Sequence, residues 1–360
     1  MPEATACLII AEAGVNHNGS IDMALELVDV AAGAGADVVK FQTFSTERLV
    51  TGAAPKAEYQ VTNTGNDSSQ HEMLRKLELD HAAHERLLAL CADRGIEFLS
   101  TPFDEGSLAF LDAELGVSRI KLGSGELTNA PLLLAAGRTG KPVILSTGMG
   151  TLADIEAALG PLAFGYTTPD AEPSETTFRL AAASADGKAA LMRNVILLHC
   201  TTAYPTPVED ANIRAMTAIH ERFGIPVGYS DHTEGIAVAL AAVACGACVI
   251  EKHITLDRTL PGPDHRASIE PDELNALVSS IRAVEASLGT AEKGPRASEF
   301  ANIAVARKSL VAIEPIRSGE TFTRDNLGVK RPGSGLSPFR FWEKLGRIAD
   351  RDYDVDDIIQ

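Results

Sequence analysis

Short runs rich in Val, Ile and Leu recur along the chain, each followed by a longer stretch in which apolar residues return with helical spacing. The runs at 7–12, 38–42, 97–101, 119–122, 143–146, 195–200, 227–230 and 249–253 predict eight β-strands. Near-continuous apolar character suits strands covered on both faces. A helix is expected from about Ser20, and stretches such as DHAAHERLLALCADRG predict further helices between the strands. An eightfold strand-then-helix repeat ending near Gly289 predicts an α/β fold, a (β/α)8 TIM barrel over residues 1–289, with a doubly wound sheet as the architectural rival.

Two interruptions break the repeat. Residues 45–70 are polar and carry Gly, Asn and Ser, which suggests a lid or a short hairpin over the barrel mouth. Residues 163–188, with TTPDAEPSE and ASADG, read as a surface insertion without an assigned function. After Leu288 the stretch 290–305 reads as a linker. Beyond it Pro315, Gly319, Pro332, Gly333 and Gly335 punctuate short segments, so 306–360 is expected to be a separate small β-rich domain.

Barrels of this kind carry their chemistry at the C-terminal ends of the strands. Those ends read AEAGVNHNG, KFQTF, STPFD, KLGSGE, LSTGM, HCTTAYPTP, GYSDH and EKHITLD, a polar or reactive residue at every one. Surface ion pairs, helix caps and turns explain any one of them. A shared site explains all of them together. His232 and His253 follow the ends of two successive strands, so their imidazoles can converge on one metal ion, with Ser230, Asp231 and Asp264 beside them.

The net charge of −17 and the lack of any basic run argue against nucleic acid as a partner. An anionic substrate then needs local cations. No apolar run reaches membrane-spanning length and the first residues lack a signal-peptide pattern, so a soluble, cytoplasmic protein is expected. Five cysteines, mostly within apolar segments, suit a reducing compartment; Cys245 and Cys248 have C-x-x-C spacing but no second pair, and are expected in the core.

Taken in order, IAEAGVNHNG, VKFQTF, STPFD, IKLGSGELTN, ILSTGM, LHCTTAYPTP, GYSDHTEG, EKHITLDRTLPGPDH and VKRPGSGLSP resemble the N-acetylneuraminate (sialic acid) synthase family, which includes legionaminic and pseudaminic acid synthases. The resemblance spans nearly the whole chain. It departs at 163–188, and at Thr202, where some members carry Asn. The resemblance implies a TIM barrel joined to a C-terminal antifreeze-like (SAF) domain. It implies condensation of phosphoenolpyruvate with an open-chain 2-acetamido sugar, N-acetylmannosamine or a 2,4-diacetamido-trideoxyhexose, plus water, giving a nine-carbon 2-keto acid and phosphate by C–O cleavage. A divalent metal, Mn2+ before Mg2+ or Co2+, and a domain-swapped homodimer are implied as well.

By the same resemblance His232 and His253 hold the metal, while Lys40, Lys121, Ser124, Ser146 and Ser230 bind phosphoenolpyruvate; Thr101 is expected as a further substrate-binding residue. Glu12, Gln42, Glu126, Tyr204 and Asp264 face the sugar or a catalytic water, and Arg331 reaches across the dimer to the acetamido group. The residue types agree. Two lysines and several hydroxyls suit a carboxylate and a phosphate, and a metal held by only two imidazoles keeps positions open for an aldehyde oxygen. Glu12 is the choice to stabilise charge at C2 or orient the water, Asp264 to bind a sugar hydroxyl or the aldehyde side, and Lys121 stands with them as catalytic. The rivals are another phosphoenolpyruvate-dependent sugar-phosphate synthase, for which no second phosphate pocket is seen, a lysine Schiff-base aldolase through Lys121, and a non-catalytic sugar-binding protein.

Overall fold

A computed structural model describes residues 6–65, 68–168 and 170–360. Residues 1–5 of the N-terminal stretch, 66 and 67 of the polar segment and 169 of the insertion lie outside the described residues. The chain divides into two compact units, Met1–Gly289 and Thr290–Gln360.

The first unit contains eight parallel strands: β1 Leu8–Gly14, β2 Val38–Thr43, β3 Glu97–Pro102, β4 Ile120–Leu122, β5 Val143–Ser146, β6 Val195–Cys200, β7 Val227–Asp231 and β8 Val249–His253. The hydrogen-bonded order is β3-β2-β1-β8-β7-β6-β5-β4. β1 therefore pairs with both β2 and β8, and β3 packs beside β4 to bring the ring near closure. That arrangement is a barrel and not an open doubly wound sheet.

The side-chain period of two explains what fills it. Ile10, Val38, Leu99, Ile144, Leu198 and Val249 form a buried cluster of their own inside the ring. Two residues further along each of these strands stand Glu12, Lys40, Thr101, Ser146, Cys200 and Glu251, so the apolar plug gives way to a polar layer at the C-terminal end. The intervening residues, among them Ile9, Ala11, Val39, Phe41, Leu145, Leu197, Tyr229 and Ile250, join the larger core beneath the helices. Gly228 lies where a Cβ would meet Val249 O at 2.5 Å, so its lack of a side chain lets β7 sit close to β8.

The outer helices start and stop where their caps predict. Ser20 Oγ accepts from Met23 N at the head of Ile21–Gly33, and Asp80 accepts from Ala83 N at the head of His81–Arg94, which ends on a left-handed Gly95. Each fully buried Leu or Val on their inner faces, such as Leu27, Val28 and Leu87, contributes about 1.5–3 kcal/mol.

Three expectations are corrected. The polar segment 45–70 holds short helices, Thr46–Leu49 and Glu58–Thr64, and no hairpin among its described residues. The stretch 163–188, expected as a surface insertion, is helical and only partly at the surface: helix Leu152–Thr167 runs through buried Ala163 and Phe164, while Glu175–Ala183, which has no buried residue, and Ala185–Asn194 begin at capping serines Ser174 and Ser184. Its turn-like composition reflects those caps. Cys245, capping the end of helix Ala237–Ala244, is exposed and not in the core, whereas Cys248, directly before β8, is half-buried and packs against the cluster inside the ring.

In the second unit, helix Phe300–Ala306 occupies much of the stretch read as a linker. The rest is only sparingly β-structured: β9 Ser309–Ala312 pairs antiparallel with β10 Leu327–Lys330, supplemented by isolated bridges. Leu310, Ala312, Ile316, Phe322, Leu327, Ala349, Tyr353 and Ile359 form its core.

Candidate active site

A cavity of about 350 Å³ opens at the C-terminal ends of the barrel strands. Every barrel residue singled out from the sequence for catalysis, substrate or metal lines it: Glu12, Lys40, Gln42, Thr101, Lys121, Ser124, Glu126, Ser146, Tyr204, Ser230, His232, His253 and Asp264. Arg331 belongs to the second unit, where it is exposed.

At the floor Lys40 forms an ion pair with Glu12, donates to Thr101 Oγ1 at 3.1 Å and lies 3.6 Å from Glu251. Lys121 donates to Ser146 Oγ at 2.8 Å and lies 3.6 Å from the other Glu251 oxygen. Ser230 donates to that oxygen at 2.9 Å. Glu251 is thus the hub between the two lysines. It lies inside the expected strand 249–253, and alternation with His253 is the signal that turns it inward.

Burial raises Glu12 to about 7 against the pull of Lys40. Burial acts the same way on Glu251, but Lys121 and Lys40 together hold it down to about 2. Desolvation lowers Lys121 from its ordinary value, whereas Lys40, buried as fully but flanked by Glu12 and Glu251, is raised. Asp264 is pushed up to about 6 by burial. Of the cavity's four carboxyls, Glu251 is thus a firm carboxylate, Glu12 and Asp264 are poised near neutrality, and burial raises Glu126 as well.

Above the floor the His232 and His253 rings lie 5.4 Å apart between centroids. His232 Nδ1 pairs with Thr201 O at 2.7 Å, which directs its Nε2 elsewhere, and His253 Nδ1 is buried with no hydrogen-bond partner. Desolvation lowers His232 to about 4 and His253 well below its ordinary value, so both are neutral at pH 7, the form that binds a metal. Two neutral imidazoles with an unclaimed buried nitrogen fit a divalent ion; among the described residues no group of three or more His, Cys, Asp or Glu does so. Gly14, with φ +53°, ends β1 beside them, and a Cβ there would lie 3.1 Å from Glu12 Oε1 and 3.5 Å from the His253 ring.

Asp231, expected beside the histidines, is a correction. It alternates out of the barrel, forms a buried ion pair with Lys252 at 2.8 Å and accepts from Thr233. Tyr59 and Gln60, from the helical polar segment, line the cavity and were not singled out; the Tyr59 ring lies 4.9 Å from Tyr204, itself 4.2 Å from His232. Buried Asn16 donates to Ile254 O and Ser268 Oγ, and Ser268 in turn donates to Asp264 O at 2.7 Å, a chain that braces the backbone of Asp264.

Paired lysines, poised carboxyls and facing imidazoles at the mouth of a parallel barrel define an enzyme that handles an anionic substrate. Residues 27–293 match the NeuB family, and the chain belongs to it, as an enzyme of the N-acetylneuraminate synthase type. It is 46% identical over 353 residues, covering 98% of each chain, to the N,N'-diacetyllegionaminic acid synthase of Campylobacter jejuni. To the synthase of the same name from Legionella pneumophila it is 44% identical, covering 92% of this chain and 87% of that one. Its structure is similar to that of the N-acetylneuraminic acid (sialic acid) synthetase of Leptospira borgpetersenii in complex with citrate, with TM-score 0.67, 33% identity and coverage of 83% of this chain and 91% of the other.

Proposed function

We propose that the chain condenses phosphoenolpyruvate with an open-chain 2-acetamido sugar and water to release phosphate and a nine-carbon 2-keto acid. The observation that carries this reading is the shared cavity in which Lys40 and Lys121 stand below His232 and His253. The sugar we favour is a 2,4-diacetamido-trideoxyhexose, on the strength of the two relatives named N,N'-diacetyllegionaminic acid synthase, with N-acetylmannosamine second.

Lys40 and Lys121, with Thr101, Ser124, Ser146 and Ser230, bind the phosphate and carboxylate through charge-assisted and neutral hydrogen bonds. His232 and His253 would hold a divalent ion, Mn2+ in the first instance, whose chemistry is Lewis-acid polarisation of the aldehyde. C3 of the enol bonds to the aldehyde carbon, whose oxygen takes up the C=O π electrons and a proton to become a hydroxyl; water adds at C2, and the C2–O bond to phosphate breaks as the added hydroxyl loses its proton to leave the ketone. Glu12, raised to about 7, takes the proton of that water as a base matched to neutral pH. Asp264, Gln42, Glu126 and Tyr204 orient the sugar. The second unit is read as an antifreeze-like domain that, in a domain-swapped cytoplasmic homodimer, carries Arg331 to the acetamido group of the partner's sugar.

The test incubates the protein with phosphoenolpyruvate, Mn2+ and a panel of acetamido sugars, following phosphate release and product mass. Absence of phosphate release with every sugar would sink the proposal. Full activity of chelator-treated His253→Ala would remove the metal from it. The depressed Lys121 favours a second reading, a Schiff-base aldolase, which borohydride trapping of a pyruvate adduct on Lys121 would reveal.

A further inference from the structure

We propose that the buried Asp231–Lys252 ion pair is a positioning pair that sets the spacing of His232 and His253 for one divalent ion. This rests on the reading of those histidines as the metal pair. Asp231 and Lys252 are register partners across β7 and β8, and each immediately precedes one of the imidazoles. Lys252 Nζ donates to Asp231 Oδ2 and to Thr233 O, both at 2.8 Å. Asp231 Oδ1 accepts from Thr233 N at 3.0 Å and from Thr233 Oγ1 at 2.8 Å. His232 is therefore flanked by two residues tied into the same network, and that network is anchored on the residue before His253.

The pair lies on the helix side of the sheet and touches no substrate. Asp231 is 0% and Lys252 1% exposed. Many other outward positions, Ile9, Val39, Leu145, Leu197 and Ile250 among them, carry the residues that packing alone would select; Thr43, Ser100 and His199 are polar and hydrogen-bonded, but none of them is charged in an ion pair or adjoins a histidine of the metal pair. A buried ion pair is no better for stability than a well-packed apolar pair of its size, so its presence at these two positions needs another reason. Directional bonds supply one. His253 Nδ1 has no hydrogen-bond partner, unlike that of His232, so the placement of its ring rests on its backbone, which pairing with β1 holds on one side and the Lys252 tether ties to β7 on the other. Groups that orient metal ligands from behind are typically worth 10- to 100-fold in metal affinity.

The test uses the full-length Asp231→Asn/Lys252→Met double variant, which keeps an acceptor for Thr233 and the length of the lysine stem while removing both charges. Free Mn2+ is titrated by electron paramagnetic resonance, phosphoenolpyruvate binding is measured by equilibrium dialysis without metal, and the thermal midpoint is recorded without ligands. The expected result is Mn2+ binding about 10- to 100-fold weaker, with phosphoenolpyruvate binding and the midpoint nearly unchanged. Lys252→Arg, which preserves the pair, should retain wild-type Mn2+ affinity. Unchanged Mn2+ affinity in the double variant overturns the proposal, as does a loss that merely parallels falls in phosphoenolpyruvate binding and midpoint. If the double variant does not fold, Asp231→Glu decides: the longer acid should weaken Mn2+ binding, and undiminished binding refutes the role. A wild-type protein that binds no Mn2+ removes the reading of the histidines and this pairing with it, whereas wild-type binding that survives every substitution removes the pairing alone.

Discussion

Replacing Glu12 with glutamine should separate what this carboxyl does for the reaction from what its ionisation costs the fold. Burial pushes it from an ordinary 4.5 to about 7, against the attraction of Lys40. Because the folded value lies above the unfolded one, the native protein keeps a proton between these pH values that the unfolded chain has released. Stability therefore falls as pH rises through that window, and the whole penalty stands above pH 7. At 1.36 kcal/mol per pH unit the rise is worth about 3 kcal/mol. That figure is a ceiling, since the neutral amide no longer balances Lys40. Lys40 nevertheless keeps Glu251 at 3.6 Å and Thr101 at 3.1 Å. Urea denaturation without ligands, followed by circular dichroism, should show Glu12→Gln gaining on the wild type between pH 5 and pH 8. Turnover should fall by about 10²- to 10⁴-fold. A variant less stable than wild type by the same amount at both pH values would refute the reasoning, because Glu12 would then act as a plain stabilising partner of Lys40.

The other predictions concern the rest of the cavity. Lys121→Met should weaken phosphoenolpyruvate binding by roughly 10- to 10²-fold, the worth of one charged hydrogen bond, and calorimetry showing wild-type affinity would exclude Lys121 from the anion site. Tyr59→Ala, which removes the ring packed 4.9 Å from Tyr204, should raise the KM for the sugar while leaving phosphoenolpyruvate binding alone; steady-state kinetics with an unchanged sugar KM would show that the polar segment does not wall the sugar site. Deleting 307–360 should destroy sugar binding yet leave a folded barrel by circular dichroism, and undiminished turnover would reduce the second unit to a structural role.

Most of the barrel was legible because its strands announce themselves twice, through apolar runs and through polar residues at their ends. Boundaries shifted by a residue or two where β1 runs on to Gly14 and β7 to Asp231. The errors share a cause. Asp231 was placed in the site because it adjoins His232 in sequence, although a period of two sends neighbours to opposite faces. The same period, counted back from His253, points Glu251 inward between the lysines. Helix 175–183 escaped notice because it is short, none of its residues is fully buried, and the turn-like TTPDAEPSE and ASADG stretches flank it. Tyr59 and Gln60 could not have been found by pattern, since their place in the wall depends on how a polar segment folds over a barrel that sequence periodicity describes only strand by strand.

The charge arrangement explains how so acidic a chain can receive an anion. On the proposed reading, the field of a chain with net charge −17 repels phosphoenolpyruvate at long range, and the attraction is supplied by Lys40 and Lys121 at contact distance. Two buried ammonium groups side by side would repel each other and shed protons, and Lys121 is already lowered by burial. Glu251, 3.6 Å from both, is what keeps the pair charged before substrate arrives. It is itself held as a carboxylate by them, at about 2, and cannot give up its charge when the substrate brings more. Glu12 and Asp264, at about 7 and about 6, can. The division of labour among these carboxyls follows from position: the one between two cations holds the two lysines, and the two with fewer or no cationic neighbours remain free to exchange protons at neutral pH.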